Sequence, residues 1–286
     1  MASNTQTTPS HAAPNTSASI AARGNEITGL DIFRPTTEVI TNERVMELMS
    51  QMHADIPSSG EDNPYGTYLD SIGSKKIEHF LRAGYAFESA NYTLVPHVSV
   101  QEQVQEVANA VSYLFQHAEN LGFDADRIVL MGHSSGAHVA ALLGTDTTYL
   151  AKAGVEIDKI KGVITLDASN FNCAAEILDS PGPVADNMLA GLGSDLAHLR
   201  DMSPTYHAQA PNARGFLLLQ VQRQGDIRQA VEFEAALLAA GTEVEMRVVE
   251  GESFEGHIAM LLRLGDDKYA ATAVVDEWLA KHVLIE

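Results

Sequence analysis

The sequence has little cysteine and few basic residues, and each scarcity excludes a class of protein. Cys173 is the only cysteine, so the chain cannot form an internal disulfide. Only 18 lysines and arginines stand against 38 aspartates and glutamates, which gives a net charge of −20. Nucleic-acid binding needs a basic surface, and anionic membranes repel acidic proteins. We therefore expect neither nucleic acid nor a membrane surface as a partner.

Long hydrophobic runs are also lacking, and no apolar stretch approaches the length of a membrane span. Residues 1–25 are rich in Ser, Thr, Asn and Ala, without the basic start and apolar core of a secretory signal. This composition predicts a disordered N-terminal tail. We expect a cytoplasmic protein, with a homodimer as an open alternative to the monomer.

What the chain does contain is 45% hydrophobic residues, enough for a large core in one domain over 26–286. Short apolar strands alternate with helical periodicities, which predicts an α/β fold with a mostly parallel central sheet and helices on both faces. The stretch 170–212, interrupted by Pro and Gly, is predicted to be a small cap insertion. The predicted strands are 26–33, 85–92, 127–131, 162–167, 216–221 and 244–249, and the longer predicted helices are 70–82, 99–121, 228–240 and 269–282.

The most informative segment is Gly-x-Ser-x-Gly at 132–136, which follows an apolar strand and opens a helix of small residues. In this strand–turn–helix context the motif marks a nucleophilic serine, here Ser134. The helix N-terminus behind it favours developing negative charge. A side chain at Gly132 or Gly136 is expected to collide with the neighbouring strand or helix. The alternative is an ordinary turn that holds two serines.

A serine hydroxyl needs a base, and the base needs a carboxylate that fixes its tautomer. If the chain order is Ser, acid, His, only His257 and His282 follow the last plausible acid. His257, beyond the last strand in the loop 250–256, is the predicted base, and His282 lies in the terminal helix. Asp226 is the predicted acid because it follows the strand 216–221, and a helix N-cap is its alternative role. Asp167, at the end of the preceding strand, is the rival acid.

The other histidines near the serine do not fit the position of the base. His133 and His138 flank Ser134, and His138 is expected to point into packing. No cluster of His, Cys, Asp or Glu has the spacing of metal ligands, so we expect no metal and no other cofactor.

Together these residues resemble the α/β-hydrolase superfamily, and most closely its carboxylesterase branch related to hormone-sensitive lipase, which includes arylformamidases. The resemblance covers about 26–35 and 70–282. It implies that Ser134 is the nucleophile, His257 the general base and acid, and Asp226 the orienting carboxylate, with the Ser135 backbone N–H as an oxyanion donor. The segments that carry it are Asn-Tyr-Thr-Leu-Val-Pro at 91–96, Asp-Arg-Ile at 126–128, the motif at 132–138 and Gly-His at 256–257.

The sequence departs from this branch where its members carry a His-Gly-Gly segment that completes the oxyanion hole. Met-His-Ala-Asp-Ile-Pro occupies that place at 52–57. Either Ala54 and Asp55 supply the backbone N–H groups from a remodelled loop beside Ser134, or the oxyanion hole is incomplete. The loss of one such donor costs about a hundred- to a thousandfold in rate.

The leading expectation is a serine hydrolase that cleaves a small carboxylic ester, its small-molecule partner, through an acyl-enzyme. An arylformamidase-like amide hydrolase would use the same residues. The third hypothesis is a catalytically silent hydrolase fold that binds a ligand or a protein. The altered segment 47–57 favours this hypothesis, and the retained Ser, Asp and His disfavour it.

Overall fold

The computed structural model describes residues 30–33 and 74–284. The predicted tail at 1–25, most of the predicted strand 26–33 and the segment with Ala54 and Asp55 lie outside these residues. No helix within the two described ranges has both the length and the apolar character needed to cross a bilayer.

The described strands form two sheets. The first two strands pair antiparallel, and the other four form a parallel sheet in which each strand pairs with the next one along the chain. The prediction of a mostly parallel sheet is therefore confirmed. The strands are β1 (Leu30–Phe33), β2 (Phe87–Ala90), β3 (Ile128–His133), β4 (Ile160–Leu166), β5 (Gly215–Gln222) and β6 (Glu243–Glu252).

The register of the parallel sheet brings the ends of its strands to one edge. His133, the last residue of β3, pairs with Leu166, the last residue of β4, and Leu166 in turn pairs with Leu219 of β5. Residues that follow β3 and β4 therefore leave the sheet side by side. This edge is where open α/β sheets place their ligands.

Helices connect these strands and cover both faces of the parallel sheet. The segment 170–212 contains four short helices, α5 to α8, and its role as a cap stays a prediction. The helices are α1 (Ser74–Arg82), α2 (Val100–Leu121), α3 (Ser135–Thr145), α4 (Thr147–Lys152), α5 (Cys173–Asp179), α6 (Pro183–Leu192), α7 (Leu196–Asp201), α8 (Pro204–His207), α9 (Gln224–Ala239), α10 (Ser253–Arg263) and α11 (Ala270–Leu279).

The core has a separate hydrophobic cluster on each face of the parallel sheet. Along β5, Phe216 and Leu218 belong to the cluster under α3 and α9, whereas Leu217 and Leu219 belong to the cluster under α10 and α11. All four side chains are fully buried. A parallel strand between two layers of helices is buried on both faces, so successive residues are all apolar. This is why the apolar run in the sequence predicts a buried strand.

A cavity of about 630 Å³ lies between β2 and β3. Its walls include Phe87 of β2 and Met131 of β3, and it reaches Gly132 and His133 at the end of β3. Within the part of the chain that the structure describes, the end of β3 therefore borders a mostly apolar space.

Candidate active site

Ser134 stands at the junction between β3 and α3 in a backbone conformation that non-glycine residues rarely adopt. Its φ is 56° and its ψ is −122°. The Ser134 N–H donates to the Leu166 carbonyl of β4 at 3.1 Å, and its own carbonyl accepts from the N–H groups of Ala137 and His138. A strained residue of this kind costs about 1–3 kcal/mol and is typical of functional sites. The turn presents a serine that is only half-buried.

The two glycines of the motif play different structural roles in the turn. A Cβ at Gly132 would lie only 2.0 Å from the Gly136 carbonyl oxygen, so the turn closes only if position 132 has no side chain. A Cβ at Gly136 would meet no atom within 4 Å among the described residues. The predicted collision is correct for Gly132 and wrong for Gly136, because the tight contact is made by the backbone of Gly136 and not by the space around its missing side chain.

The carboxylate that contacts His257 is Asp167. The His257 Nδ1 lies 2.6 Å from Asp167 Oδ2, and both side chains are buried. This pairing contradicts the prediction that Asp226 orients His257 and favours the rival acid at the end of β4. The physical reason is the register: Asp167 follows Leu166 directly and leaves the sheet beside Ser134, whereas Asp226 lies inside the first turn of α9.

Asp167 is held as an ion by several donors. Its Oδ1 accepts the Val221 backbone N–H at 2.9 Å, and its Oδ2 lies 3.0 Å from Arg223 Nε and 2.9 Å from Arg223 Nη2. Burial by itself raises the pKa of Asp167, but the hydrogen bond to His257 and the charge of Arg223 outweigh burial and hold the pKa below its usual value. An ionised carboxylate on Nδ1 fixes the tautomer that leaves Nε2 able to take a proton.

Asp226 has other partners. Its carboxylate accepts a hydrogen bond from the Ser169 hydroxyl at 2.9 Å and lies 3.1 Å from Arg223 Nη1. Burial and the nearby Glu176 carboxylate together raise the pKa of Asp226 to about 6, against the charge of Arg223. Arg223 therefore bridges Asp167 and Asp226, the two carboxylates that the sequence offered as candidates for the acid.

His257 lies in a helix and not in the predicted loop 250–256. Strand β6 runs to Glu252, and α10 begins at the next residue, Ser253. Two glycines make this abrupt change of direction: Gly251 has a φ of 129°, and a Cβ at Gly256 would lie 2.7 Å from the Gly251 carbonyl carbon. The glycines that suggested a loop in the sequence instead let strand and helix meet closely, and the buried His257 follows one residue later.

His133 brings the serine turn and the base together. Its ring lies 4.3 Å from the His257 ring, centroid to centroid, and its Nε2 lies 2.9 Å from the His257 carbonyl oxygen. The Phe254 ring also stacks on His257 at 5.7 Å. Because His133 directly precedes Ser134, these contacts place the base next to the serine turn.

The predicted oxyanion donors are only partly within the described residues. Ser135 is the first residue of α3, where the backbone N–H groups have no partner in the preceding turn. Its side chain lowers the pKa of the Tyr92 phenol, against the larger effect of burial, so the segment after β2 lies near the serine turn. The other predicted donors, Ala54 and Asp55, lie outside the described residues.

Several residues near the site have other roles or were missed. His138 is buried with its Nε2 2.7 Å from the Met202 carbonyl oxygen, as its predicted packing role requires. Burial raises the pKa of the Cys173 thiol to about 12, so it is not a reactive thiolate. Arg223 was not among the predicted site residues, although it is a cation directly after a buried strand and three residues before an aspartate. Among the described residues, no group of three or more His, Cys, Asp or Glu is arranged to hold a metal ion.

Several proteins that resemble this chain are named as esterases or ester hydrolases. The BD-FAE family model matches residues 66–186, which is less than half of the chain. A probable isoprenylcysteine alpha-carbonyl methylesterase from Arabidopsis thaliana is 39% identical over 51 residues, and neutral cholesterol ester hydrolase 1 from Mus musculus is 33% identical over 88 residues. These matches cover 18% and 29% of this chain but only 11% and 21% of the relatives.

Solved structures match over a much larger part of the chain. Esterase 2 of the planctomycete Thermogutta terrifontis superposes with a TM-score of 0.63 and 18% identity, covering 93% of this chain and 92% of that one. The same esterase phosphoramylated by tabun gives a TM-score of 0.65 at 17% identity, with 93% and 94% coverage. The chain therefore has the α/β-hydrolase fold, which is the fold that the resemblance drawn from the sequence implied.

Proposed function

We propose that this α/β-hydrolase chain is a serine hydrolase that cleaves small carboxylic esters, with Ser134 as nucleophile, His257 as base and Asp167 as orienting carboxylate. One observation carries the proposal: the buried His257–Asp167 pair, 2.6 Å apart, lies against the residue that precedes a strained serine. A hydroxyl, an imidazole and a carboxylate in this order are the components of acyl transfer. A silent binding protein has no need of the strained serine or of the desolvated ion.

The reaction proceeds in two steps that use the same proton acceptor. The Ser134 Oγ attacks the ester carbonyl carbon while His257 Nε2 takes its proton, and the tetrahedral intermediate collapses when the alcohol leaves with that proton. Water then attacks the acyl-enzyme while His257 takes one of its protons, and the acid leaves as His257 returns that proton to the Ser134 Oγ. The Ser135 N–H, at the N-terminus of α3, is the donor we assign to the oxyanion.

The relatives support an ester as substrate. Those described above are named as a methylesterase, a cholesterol ester hydrolase and an esterase. Tabun has phosphoramylated the Thermogutta esterase, which motivates a phosphorus-based probe for this chain. The net charge of −20 favours uncharged substrates over anionic ones.

Covalent labelling tests the proposal directly. A fluorophosphonate should modify the wild-type chain once, and peptide mass spectrometry should locate the adduct on Ser134. Ser134→Ala should abolish both labelling and the turnover of short acyl aryl esters, while the exposed Ser194 gives a matched control, Ser194→Ala, that retains both. An adduct on Ser135, or unchanged labelling of Ser134→Ala, would refute the assignment. Faster turnover of an N-formyl aromatic amide than of the esters would instead favour amide hydrolysis.

A further inference from the structure

His133 makes two separate contacts with His257, from a position 124 residues earlier in the chain. One contact is between the rings, with their centroids 4.3 Å apart and their planes inclined by 39°. The other joins the His133 Nε2 to the His257 backbone carbonyl over 2.9 Å. One residue of β3 therefore constrains both the side chain and the backbone of a residue in α10.

The second contact fixes the tautomer of His133. A carbonyl oxygen only accepts, so the His133 Nε2 must carry the proton and donate it. Burial and the neighbouring His257 lower the pKa of His133 to about 3, and the charge of Lys76 lowers it while that of Asp167 raises it. His133 is therefore neutral at neutral pH. Because it is neutral, it does not repel the imidazolium that forms on His257 when the serine gives up its proton.

We propose that His133 is a positioning residue that fixes His257 against the serine turn. Asp167 holds one end of the His257 ring through Nδ1, but a hydrogen bond at one atom leaves the ring free to tilt about that bond. The ring of His133 limits this tilt, and the hydrogen bond to the carbonyl limits the movement of the helix that carries the base. Because His133 and Ser134 are consecutive, the same short segment sets the position of both reacting groups.

Two variants separate the contacts. His133→Phe keeps a ring beside His257 and loses the hydrogen bond, whereas His133→Asn keeps an N–H donor and loses the ring. The matched control is His117→Gln, because His117 likewise stacks on a ring, that of Tyr113, and contacts the Tyr113 carbonyl with Nδ1, but lies on α2. The reaction measured is the turnover of a short acyl aryl ester, so the inference rests on the proposed function.

The measurement is kcat per active site, with the active sites counted by exhaustive fluorophosphonate labelling. A role confined to folding lowers the labelled fraction and leaves kcat per labelled site unchanged. A misplacement of about 1 Å costs up to a hundredfold in rate, so we expect kcat per labelled site to fall about ten- to a hundredfold with little change in KM. A loss in either variant supports the proposal and identifies the contact responsible. His117→Gln should match the wild type.

Wild-type kcat per labelled site in both His133 variants would overturn the inference. That outcome differs from a failure of the proposed function, in which the wild type itself is not labelled at Ser134. If one variant does not fold, as judged by its thermal unfolding, the other still tests the contact that it removes, and wild-type kcat per labelled site in that variant overturns the inference for that contact.

Discussion

Asp167 and Asp226 follow neighbouring strands, both contact Arg223, and yet behave in opposite ways. Asp167 accepts a backbone N–H and pairs with His257 and Arg223, and its pKa lies below the usual value. Asp226 is also buried, but its pKa is raised to about 6. Burial alone therefore does not set the pKa of a carboxylate, because the donors around it decide whether the ion is stabilised.

Asp167 and Asp226 share one cation, Arg223. Arg223 lies 2.9 Å from Asp167 Oδ2 through Nη2 and 3.1 Å from Asp226 Oδ2 through Nη1. Asp167 also has His257, whereas Asp226 faces another acid, Glu176, which raises its pKa. Arg223 therefore adds to the stabilisation of the ionised Asp167. At Asp226 it only partly offsets the burial and the Glu176 charge that raise the pKa.

The largest expected effect is that of Asp167→Asn on ester turnover. An amide in place of the carboxylate favours the wrong tautomer of His257 and cannot stabilise the imidazolium, which costs about 10⁴-fold in kcat in serine proteases. We expect a loss of about 10³- to 10⁴-fold for Asp167→Asn and less than about tenfold for Asp226→Asn. Steady-state kinetics on purified variants gives both values. The reverse ranking would return the acid to Asp226.

The next effect is on stability, through Arg223→Gln. Removal of one partner from a buried ion pair costs about 3–5 kcal/mol, and the partial exposure of this arginine places the expected loss at the lower end, about 3 kcal/mol. The matched control is Arg228→Gln, because Arg228 pairs with Asp179 and Glu232 on the surface, where such pairs contribute about 1 kcal/mol or less. Urea unfolding at pH 7 measures both losses.

A double variant then tests which carboxylate depends on the arginine. Asp226→Asn in the Arg223→Gln background removes a buried charge that has lost its cation, so the unfolding free energy should recover in part. No recovery would mean that the loss came from Asp167 alone and that Arg223 does not couple the two acids.

The sequence predicted the serine turn well because its determinants are local. The Gly132 contact with the Gly136 backbone joins residues four apart, so the motif itself encodes the geometry. The same holds for β5, whose unbroken apolar run reflects burial on both faces. The acid could not be chosen in this way, since Asp167 and Asp226 each follow a strand and differ only in partners. The partner that decides, His257, lies 90 residues beyond Asp167.

The secondary structure around His257 was mispredicted for a related reason. Gly251 and Gly256 suggested a loop, because glycine usually marks a turn. The two glycines are in contact across the junction of β6 and α10, and this close approach requires them both. A glycine kept for a close approach and a glycine kept for a turn look alike in a sequence, and only the packing separates them.

The smallest expected effect concerns how stability depends on pH, and it should have opposite signs for the two acids. The raised pKa of Asp226, about 6, means that the folded chain holds a proton that the unfolded chain has already lost above about pH 4. The wild type therefore loses stability through this group as pH rises from about 4 to 6. Asp226→Asn removes that loss, so it should unfold at a higher temperature than the wild type at pH 8 and at the same temperature near pH 4.

Asp167→Asn should do the reverse. The pKa of Asp167 is lowered by folding, so its contribution to stability is present above the unfolded pKa of about 4 and is lost as pH falls through the folded value. The variant should therefore be less stable than the wild type at pH 8, and the gap should narrow under acidic conditions. Thermal unfolding of the three proteins from about pH 2 to 8 measures both trends, because the Asp226 effect develops above about pH 4 and the Asp167 effect is lost below it. Parallel curves for the two variants would show that folding does not shift the pKa values of the two carboxylates in opposite directions.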